Sequence, residues 1–284
     1  MTSTSRVFYV YGVSRPSVDL AHAPTGIDDT PLELQREGEL AALVSGLDAA
    51  RYEATAVERA TEDLEWLASR AVAHDQVLTW ASDRGPIVPF PMFSLFSSER
   101  AVCEMLRDRK KQLDDALRRA SEGREYVLRL YRVDKELSEV ATEFSPHLRE
   151  LERAVRDAKP GQGYLLQRKL DAQRKIELRS IGQQIAREVF DTLTPLAVEQ
   201  GARETDTRRG VKSTAPSDDV ARHALVLDAA FLVASDALDR FRAALTPLME
   251  RHHQRGFRFE FTGPWPPYHF VQSPAGSEGA DRVS

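Results

Sequence analysis

The 284-residue chain carries 39 basic and 44 acidic side chains, for a formal net charge of −5, and 42% of its residues are hydrophobic. This balance is ordinary for a globular protein and argues against a dedicated nucleic-acid binder. The single cysteine, Cys103, excludes an internal disulfide, and its apolar helical setting predicts an inert, buried thiol. No window approaches ~18 unbroken apolar residues, so we expect no membrane span, no signal peptide and a cytoplasmic protein.

The first half of the chain predicts an α+β domain. Residues 7–13 are β-branched and aromatic and predict a first strand, and residues 32–37 and 40–45 predict an extended pair around Gly38. A long helix, the Pro-interrupted apolar segment 87–96 and a helix over 98–120 follow. This order predicts a modified ferredoxin-like domain over residues 1–122.

The strongest helical pattern in the chain begins at Thr55, which forms a capping box with Glu58. Apolar residues recur from there at alternating spacings of three and four, and Gly85-Pro86 ends the pattern. We therefore expect one continuous helix. His74 lies on its apolar face, where a hydrogen-bonded core histidine is expected.

The second half predicts an α+β domain over residues 123–273, followed by a disordered tail over 274–284. Strands are expected at 126–133 and 225–233, a polar linker at 201–219, and an amphipathic helix from Ser235. A helix-forming stretch from Asp134 and the helix that follows it to Lys159 make the first arm of a long hairpin, and a helix over 163–199 makes the second. The first arm carries five glutamates and the second five cations, so we predict antiparallel packing in which acid faces base: Glu136, Glu139, Glu143, Glu150 and Glu152 against Arg168, Lys169, Arg174, Lys175 and Arg179.

The most informative short segment is Gly263-Pro264-Trp265-Pro266-Pro267-Tyr268. Its prolines exclude a helix or a central strand. It follows an alternating run in which Phe257, Phe259 and Phe261 share one face. Two interpretations stay open: a Pro-rich corner that closes the core, and a preformed docking surface for a partner.

This hexapeptide resembles the C-terminal signature of the gas vesicle protein F/L family, the GvpF and GvpL accessory proteins. Weaker similarities lie at Tyr9-Val10-Tyr11-Gly12, at Gly163-Tyr164-Leu165 and in segments 40–45 and 229–233. The stretch Pro89-Phe90-Pro91-Met92-Phe93 departs from the family pattern, which has an arginine and a glycine there. The resemblance implies an α+β fold, a location at the gas vesicle, and partners among the principal shell protein and other accessory proteins.

Other functions have little support in the sequence. No nucleophile elbow, complete phosphate-binding loop or metal-ligand spacing among the seven histidines is present, so we predict no catalytic residues, no cofactor and no metal. An enzyme whose site assembles from distant residues remains an alternative. RNA binding by strand aromatics (Phe8, Tyr9 and Tyr11) is a second, although the signature strand of such domains is missing.

The remaining hypothesis is a non-enzymatic assembly protein that binds the hydrophobic shell protein. Apolar segments that cannot form central strands are natural binding patches when they are exposed. The candidate partner-binding residues are Phe90, Met92, Phe93, Trp265 and Tyr268.

Overall fold

A computed structural model describes residues 6–52, 63–202 and 223–271. The chain divides into two compact units: Met1–Glu125 with Pro264–Ser284, and Tyr126–Gly263. Each unit combines helices with an antiparallel sheet, which confirms the α+β class. The sequence-based division after residue 122 assigned residues 264–273 to the second domain, whereas the described part of this stretch, residues 264–271, belongs to the first unit.

The first unit is built on one antiparallel sheet with the strand order β2-β3-β1-β4, and β5 also pairs with β1. The strands are β1 (Arg6–Ser14), β2 (Glu33–Glu37), β3 (Leu40–Asp48), β4 (Ile87–Pro89) and β5 (Leu95–Phe96). The Pro-interrupted segment thus forms two short strands, with β4 at the edge of the sheet as its prolines predict.

Strand β1 is apolar on both faces because the sheet has a hydrophobic core on each side. Phe8 and Val10 face the helices α2 (Glu99–Asp108) and α3 (Lys110–Ser121). Tyr9 and Tyr11 face the helix α1 (Leu64–Ser82). Because successive side chains of a strand point to opposite faces, alternate residues of β1 enter the two cores. The sequence of β1 is therefore apolar at nearly every position.

Two helix predictions in this unit are wrong in their boundaries. Asp63 has an extended backbone (φ −85°, ψ 103°), and its carboxylate accepts from two amides of the first turn. A helix therefore begins at Leu64, and the predicted helix does not run unbroken through Asp63. The capping box at Thr55 lies outside the described residues. The helix predicted over 98–120 is broken at Arg109 (φ −103°, ψ 14°) into α2 and α3.

Cys103 is only partly buried, which corrects the expectation of a buried thiol. Its Sγ lies 3.9 Å from the carbonyl oxygen of Arg36. Desolvation and the neighbouring Glu37 carboxylate raise the pKa of the thiol, which favours the protonated, poorly nucleophilic form.

The second unit contains a four-stranded antiparallel sheet with the order β7-β8-β6-β9. Its strands are β6 (Arg124–Arg132), β7 (Glu199–Ala202), β8 (Ala224–Val233) and β9 (Phe257–Trp265). Its helices are α4 (Asp134–Phe144), α5 (Pro146–Arg156), α6 (Pro160–Leu193) and α7 (Leu238–His253). Strand β7 was missed in the sequence, which predicted a linker from Gly201; residues 203–222 and the tail from residue 272 lie outside the described part of the chain.

One core joins the sheet of the second unit to its helices. Phe257, Phe259 and Phe261 of β9 contribute to it, as their alternation predicts. On the other face of β9, Arg258 pairs with Glu136 at 2.6 Å. The side chains of β9 therefore alternate between the apolar core and charged contacts on the other face of the strand, one of them to the first turn of α4.

The predicted helical hairpin consists of α5 and α6. Ser145 caps α5 by accepting from the amide of Leu148 at 3.2 Å. Arg174 of α6 donates to Glu152 of α5 at 2.8 Å, which is an acid–base contact of the predicted kind. The second helix starts at Pro160, earlier than expected, and ends at Leu193.

Candidate partner-binding surface

The segment between β4 and β5 is a compact loop fastened to β1. The amide of Phe90 donates to the carbonyl of Tyr11 at 2.8 Å, and the amide of Val10 donates to the carbonyl of Ser94 at 2.9 Å. The Phe90 side chain is 1% exposed and belongs to the core under α2 and α3. Phe90 therefore serves the fold, and the structure does not support its assignment as a partner-binding residue.

Phe93 adopts a left-handed backbone conformation (φ 61°), which is uncommon for a bulky residue and costs about 1–2 kcal/mol. Its ring stacks on Trp66 of α1, with centroids 5.7 Å apart and planes 7° from parallel. Its amide donates to the hydroxyl of Tyr9 at 3.2 Å. These contacts fix Phe93 while leaving its side chain partly exposed.

A buried histidine fastens this loop to α1. The hydroxyl of Tyr9 lies 2.7 Å from Nδ1 of His74, and the His74 ring also hydrogen-bonds to the backbone of Phe90. Burial lowers the pKa of His74 to about 4, with the Phe90 bond acting in the opposite direction. The imidazole is therefore neutral near pH 7, and it confirms the expected hydrogen-bonded core histidine.

The hexapeptide continues β9 and then turns into the first unit. Pro266 and Pro267 are buried, and Phe270 and Val271 beyond them are 5% and 2% exposed. The turn is closed by a 3.0 Å bond from the amide of Val271 to the carbonyl of Pro267. This half of the segment fits the interpretation of a corner that closes a core.

Tyr268, the tyrosine of the hexapeptide, is 41% exposed, although its hydroxyl group is buried. Its hydroxyl hydrogen-bonds to the carboxylate of Asp75, the residue after His74 on α1. Burial raises the pKa of Asp75, and burial together with the Asp75 charge raises the pKa of Tyr268. The hydroxyl therefore remains protonated and donates to Asp75.

A second carboxylate holds the next residue of the turn. Glu125, which is 1% exposed, accepts from the backbone amide of His269 at 2.9 Å and makes a short contact with its Nδ1. Charge-assisted bonds of this kind are stronger than neutral ones. The turn is thus fixed on both sides of the Tyr268–His269 peptide, by Asp75 and by Glu125.

The five candidate residues consequently fall into two groups. Phe90 is buried, whereas Met92, Phe93 and Trp265 are partly exposed and Tyr268 is exposed. Two neighbouring residues of α1 hold the segments that carry these candidates: His74 contacts the loop between β4 and β5, and Asp75 contacts the turn at Tyr268. The sequence did not indicate these holding residues, apart from His74, because their partners are distant in the chain: Glu125 and His269 are separated by 144 positions.

The structure weakens the RNA-binding alternative. Bases stack on strand aromatics only when those rings are accessible. Phe8, Tyr9 and Tyr11 are 6%, 0% and 0% exposed, so the rings proposed as a stacking platform are part of the two cores.

Within residues 6–52, 63–202 and 223–271, no group of three His, Cys, Asp or Glu side chains is placed to hold a metal ion. Over the same ranges, no helix is both long and apolar enough to cross a bilayer. In the second unit, an open groove of ≈ 820 Å³ lies along α4, α5 and α6; its charges are mixed, with Asp134 and Glu152 beside Lys135 and Arg174.

The fold of this chain is that of known gas vesicle proteins. It matches the crystal structure of GvpF from Anabaena sp. PCC7120 with a TM-score of 0.64 and 18% identity, covering 97% of this chain and 100% of that one. It matches GvpF from Microcystis aeruginosa with a TM-score of 0.62 and 17% identity, covering 94% and 99%. A pair of α+β units with this topology is therefore the architecture of the GvpF class.

Sequence comparison gives the family. The family model of the gas vesicle synthesis protein GvpL/GvpF matches residues 7–272. Gas vesicle protein L from Streptomyces sp. (strain CB03234) is 30% identical over 274 residues, or 95% of this chain and 94% of that protein, and gas vesicle protein F from the same strain is 28% identical over 272 residues. The chain belongs to the GvpL/GvpF family, and its role lies with gas vesicles.

Proposed function

We propose that this protein is a non-enzymatic assembly factor that binds the hydrophobic principal shell protein during gas vesicle formation. It acts in the cytoplasm and at the growing vesicle, together with other accessory proteins, and can remain as a minor vesicle component. Free shell subunits expose apolar surface that is covered only in the assembled wall, so they aggregate unless another protein covers them.

The observation that carries the proposal is that Met92, Phe93, Trp265 and Tyr268 of the first unit, called here the aromatic surface, are partly or fully exposed. The loop and the turn that carry them are held by neighbouring residues of α1, His74 and Asp75. A surface that is already ordered loses little conformational entropy when a partner binds. Aromatic residues and methionine are also enriched at protein interfaces. This surface can therefore hold an apolar segment with modest affinity and release it to a growing shell.

Co-expression with the shell protein tests the role. We expect the chain to raise the soluble fraction of the shell protein and to co-purify with it. Replacing Tyr268 with Ala should lower that fraction, whereas Tyr268→Phe, which keeps the ring and loses only the hydroxyl, should preserve it. Val198→Ser on the second unit is a matched control, because Val198 is a 48% exposed apolar side chain outside the proposed surface.

The possible outcomes distinguish a wrongly assigned surface from a wrongly assigned function. If Tyr268→Ala and Met92→Ser bind as well as Val198→Ser, the surface is assigned wrongly and the shell protein binds another face. If the unaltered chain never associates with the shell protein, the binding role itself is wrong. For Trp265→Ala, a lost folding transition shows a structural tryptophan, and intact folding with lost binding shows a contact residue.

A further inference from the structure

The outer face of α6 exposes large apolar side chains. Tyr164, Leu165 and Ile176 are 66%, 67% and 59% exposed. The opposite face packs in the core of the second unit through residues such as Leu178 and Ile185. Exposed large side chains that recur along one face of a helix form a patch, and such patches mark interaction sites.

The same face is strongly basic. Arg168, Lys169, Lys175 and Arg179 are exposed. At roughly 100° per residue, these four and the three apolar residues fall within an arc of roughly 140°. None of the four makes an ion pair within the described residues, whereas Arg174, outside the arc, is paired with Glu152.

Carboxylates are absent from this arc. The two acidic residues of the same stretch, Asp171 and Glu177, lie outside it, where they accept from Gln167 at 2.9 Å and from Gln173 at 3.0 Å. The outer face of α6 between Tyr164 and Arg179 therefore combines an apolar ridge with an excess of positive charge. Lys175, near the edge of the arc, also lines the groove of mixed charge, beside Asp171.

We propose that this face of α6, the basic ridge, docks an acidic amphipathic helix of a partner protein. Leu165, Ala172 and Ile176 recur at intervals of seven and four residues, which is the spacing of a helix–helix seam. Cations beside such a seam select a partner with carboxylates at the flanking positions. The ridge is separate from the aromatic surface of the first unit, so this proposal does not depend on the proposed function.

A second copy of this chain fits the ridge poorly. Two ridges placed together in either orientation would oppose cation to cation, because neither contains a carboxylate. Like charges at helix–helix contacts are destabilising and act against self-pairing.

The experiment uses the full chain and a synthetic probe peptide of three heptads, with Leu at the seam positions and Glu at the flanking positions. A second peptide carries Lys in place of Glu. Fluorescence anisotropy should show binding of the Glu peptide and not of the Lys peptide. Raising the salt from low to physiological concentration should weaken binding by about tenfold, because exposed charges are screened.

Variants then locate the interaction. The combined reversal R168E/K169E/K175E/R179E should abolish binding of the Glu peptide. L165S/I176S should weaken it several-fold while the salt dependence persists. The matched control R240E/R242E reverses two exposed cations of α7 outside the ridge and should bind normally. Circular dichroism of each variant shows that α6 still folds.

Several results overturn the proposal. These are failure of the Glu peptide to bind at low salt, equal binding of the Lys peptide, or binding that survives the fourfold reversal. Stronger ridge-dependent binding to phosphatidylglycerol vesicles or to an RNA oligonucleotide than to the peptide would assign the ridge to a lipid surface or to nucleic acid. Ridge-dependent self-association in sedimentation would assign it to a second copy.

Discussion

At the scale of single residues, His74 makes the stability of the fold around the β4–β5 loop depend on pH. Its folded-state pKa of about 4 lies below its ordinary value of 6.5, so the unfolded chain binds the extra proton between these values. The contribution of the neutral ring to stability is fully present above pH 6.5 and is lost as the pH falls toward 4. A shift of this size corresponds to about 3 kcal/mol.

We therefore expect His74→Gln to flatten the dependence of the free energy of unfolding on pH between 6.5 and 4, measured by urea denaturation. The exposed His147 provides the control, because His147→Gln should leave that dependence unchanged. The raised pKa of Asp75 makes stability fall as the pH rises, which is opposite to the effect of His74. Asp75 is present in the unaltered chain and in both variants, so its effect cancels in the comparison. Equal slopes for His74→Gln and the unaltered chain would contradict the assignment.

Glu125 illustrates the cost of a buried acceptor. Glu125→Ala leaves the amide of His269 without its 2.9 Å partner, and we expect a loss of about 2–3 kcal/mol in the free energy of unfolding. Glu122, exposed and three residues earlier, is the control; Glu122→Ala should cost less than about 0.5 kcal/mol. Similar losses for the two variants would show that the turn is not held by Glu125.

At the scale of elements, the junction between α7 and β9 requires glycine. Gly256 has φ +80°, and a Cβ there would lie 2.5 Å from the amide nitrogen of Leu137. Gly38 also has a positive φ (+59°), but its surroundings are open. A side chain at either position would strain the backbone, but only at Gly256 would it also clash with neighbouring atoms.

Gly38→Ala should therefore cost about 1 kcal/mol, the strain alone, whereas Gly256→Ala should cost about 3 kcal/mol or more. Chemical denaturation of both variants measures the difference. A Gly256→Ala protein no less stable than Gly38→Ala would show that the surrounding backbone moves aside without cost.

Elements with strong local patterns were predictable from the sequence, and those set by distant contacts were not. The alternation of β9 and the apolar run of β1 and β8 were read correctly because side-chain period and burial are local properties. The helix start at Leu64 and the break at Arg109 were missed because the apolar spacing in the sequence continues across both positions. Strand β7 has a short polar sequence and exists through its pairing with β8.

The candidate site shows the same division. The prolines of the hexapeptide excluded a helix and a central strand, and in the structure this segment ends an edge strand and enters a hydrogen-bonded turn. Which side chains face outward was not predictable, because the burial of Phe90 and the exposure of Tyr268 depend on elements far along the chain. Of the five candidates, the sequence could not separate the core residue from the others.

At the scale of the whole molecule, the first unit is discontinuous in sequence. A fragment of residues 1–122 lacks Val271, which is part of the core formed with Phe8 and Val10. We expect this fragment to be poorly folded, and a chain in which 1–125 is joined by a flexible linker to 264–284 to fold cooperatively. Heteronuclear NMR spectra and thermal unfolding distinguish the two.

The inserted unit, residues 126–263, has its own core and should fold alone. Misfolding of this fragment, or equal folding of the 1–122 and joined fragments, would contradict the division into two units.

The return of the chain to the first unit at Pro264 also dictates an order of events during translation. A ribosome makes Phe8 and Val10 before the inserted unit and Val271 after it, so the sheet of the first unit lacks Val271 until the whole inserted unit has been made. The inserted unit can mature first, while the apolar faces of the opening strands stay open to any nascent-chain chaperone. Nascent molecules interrupted before Pro264 would therefore be prone to aggregate.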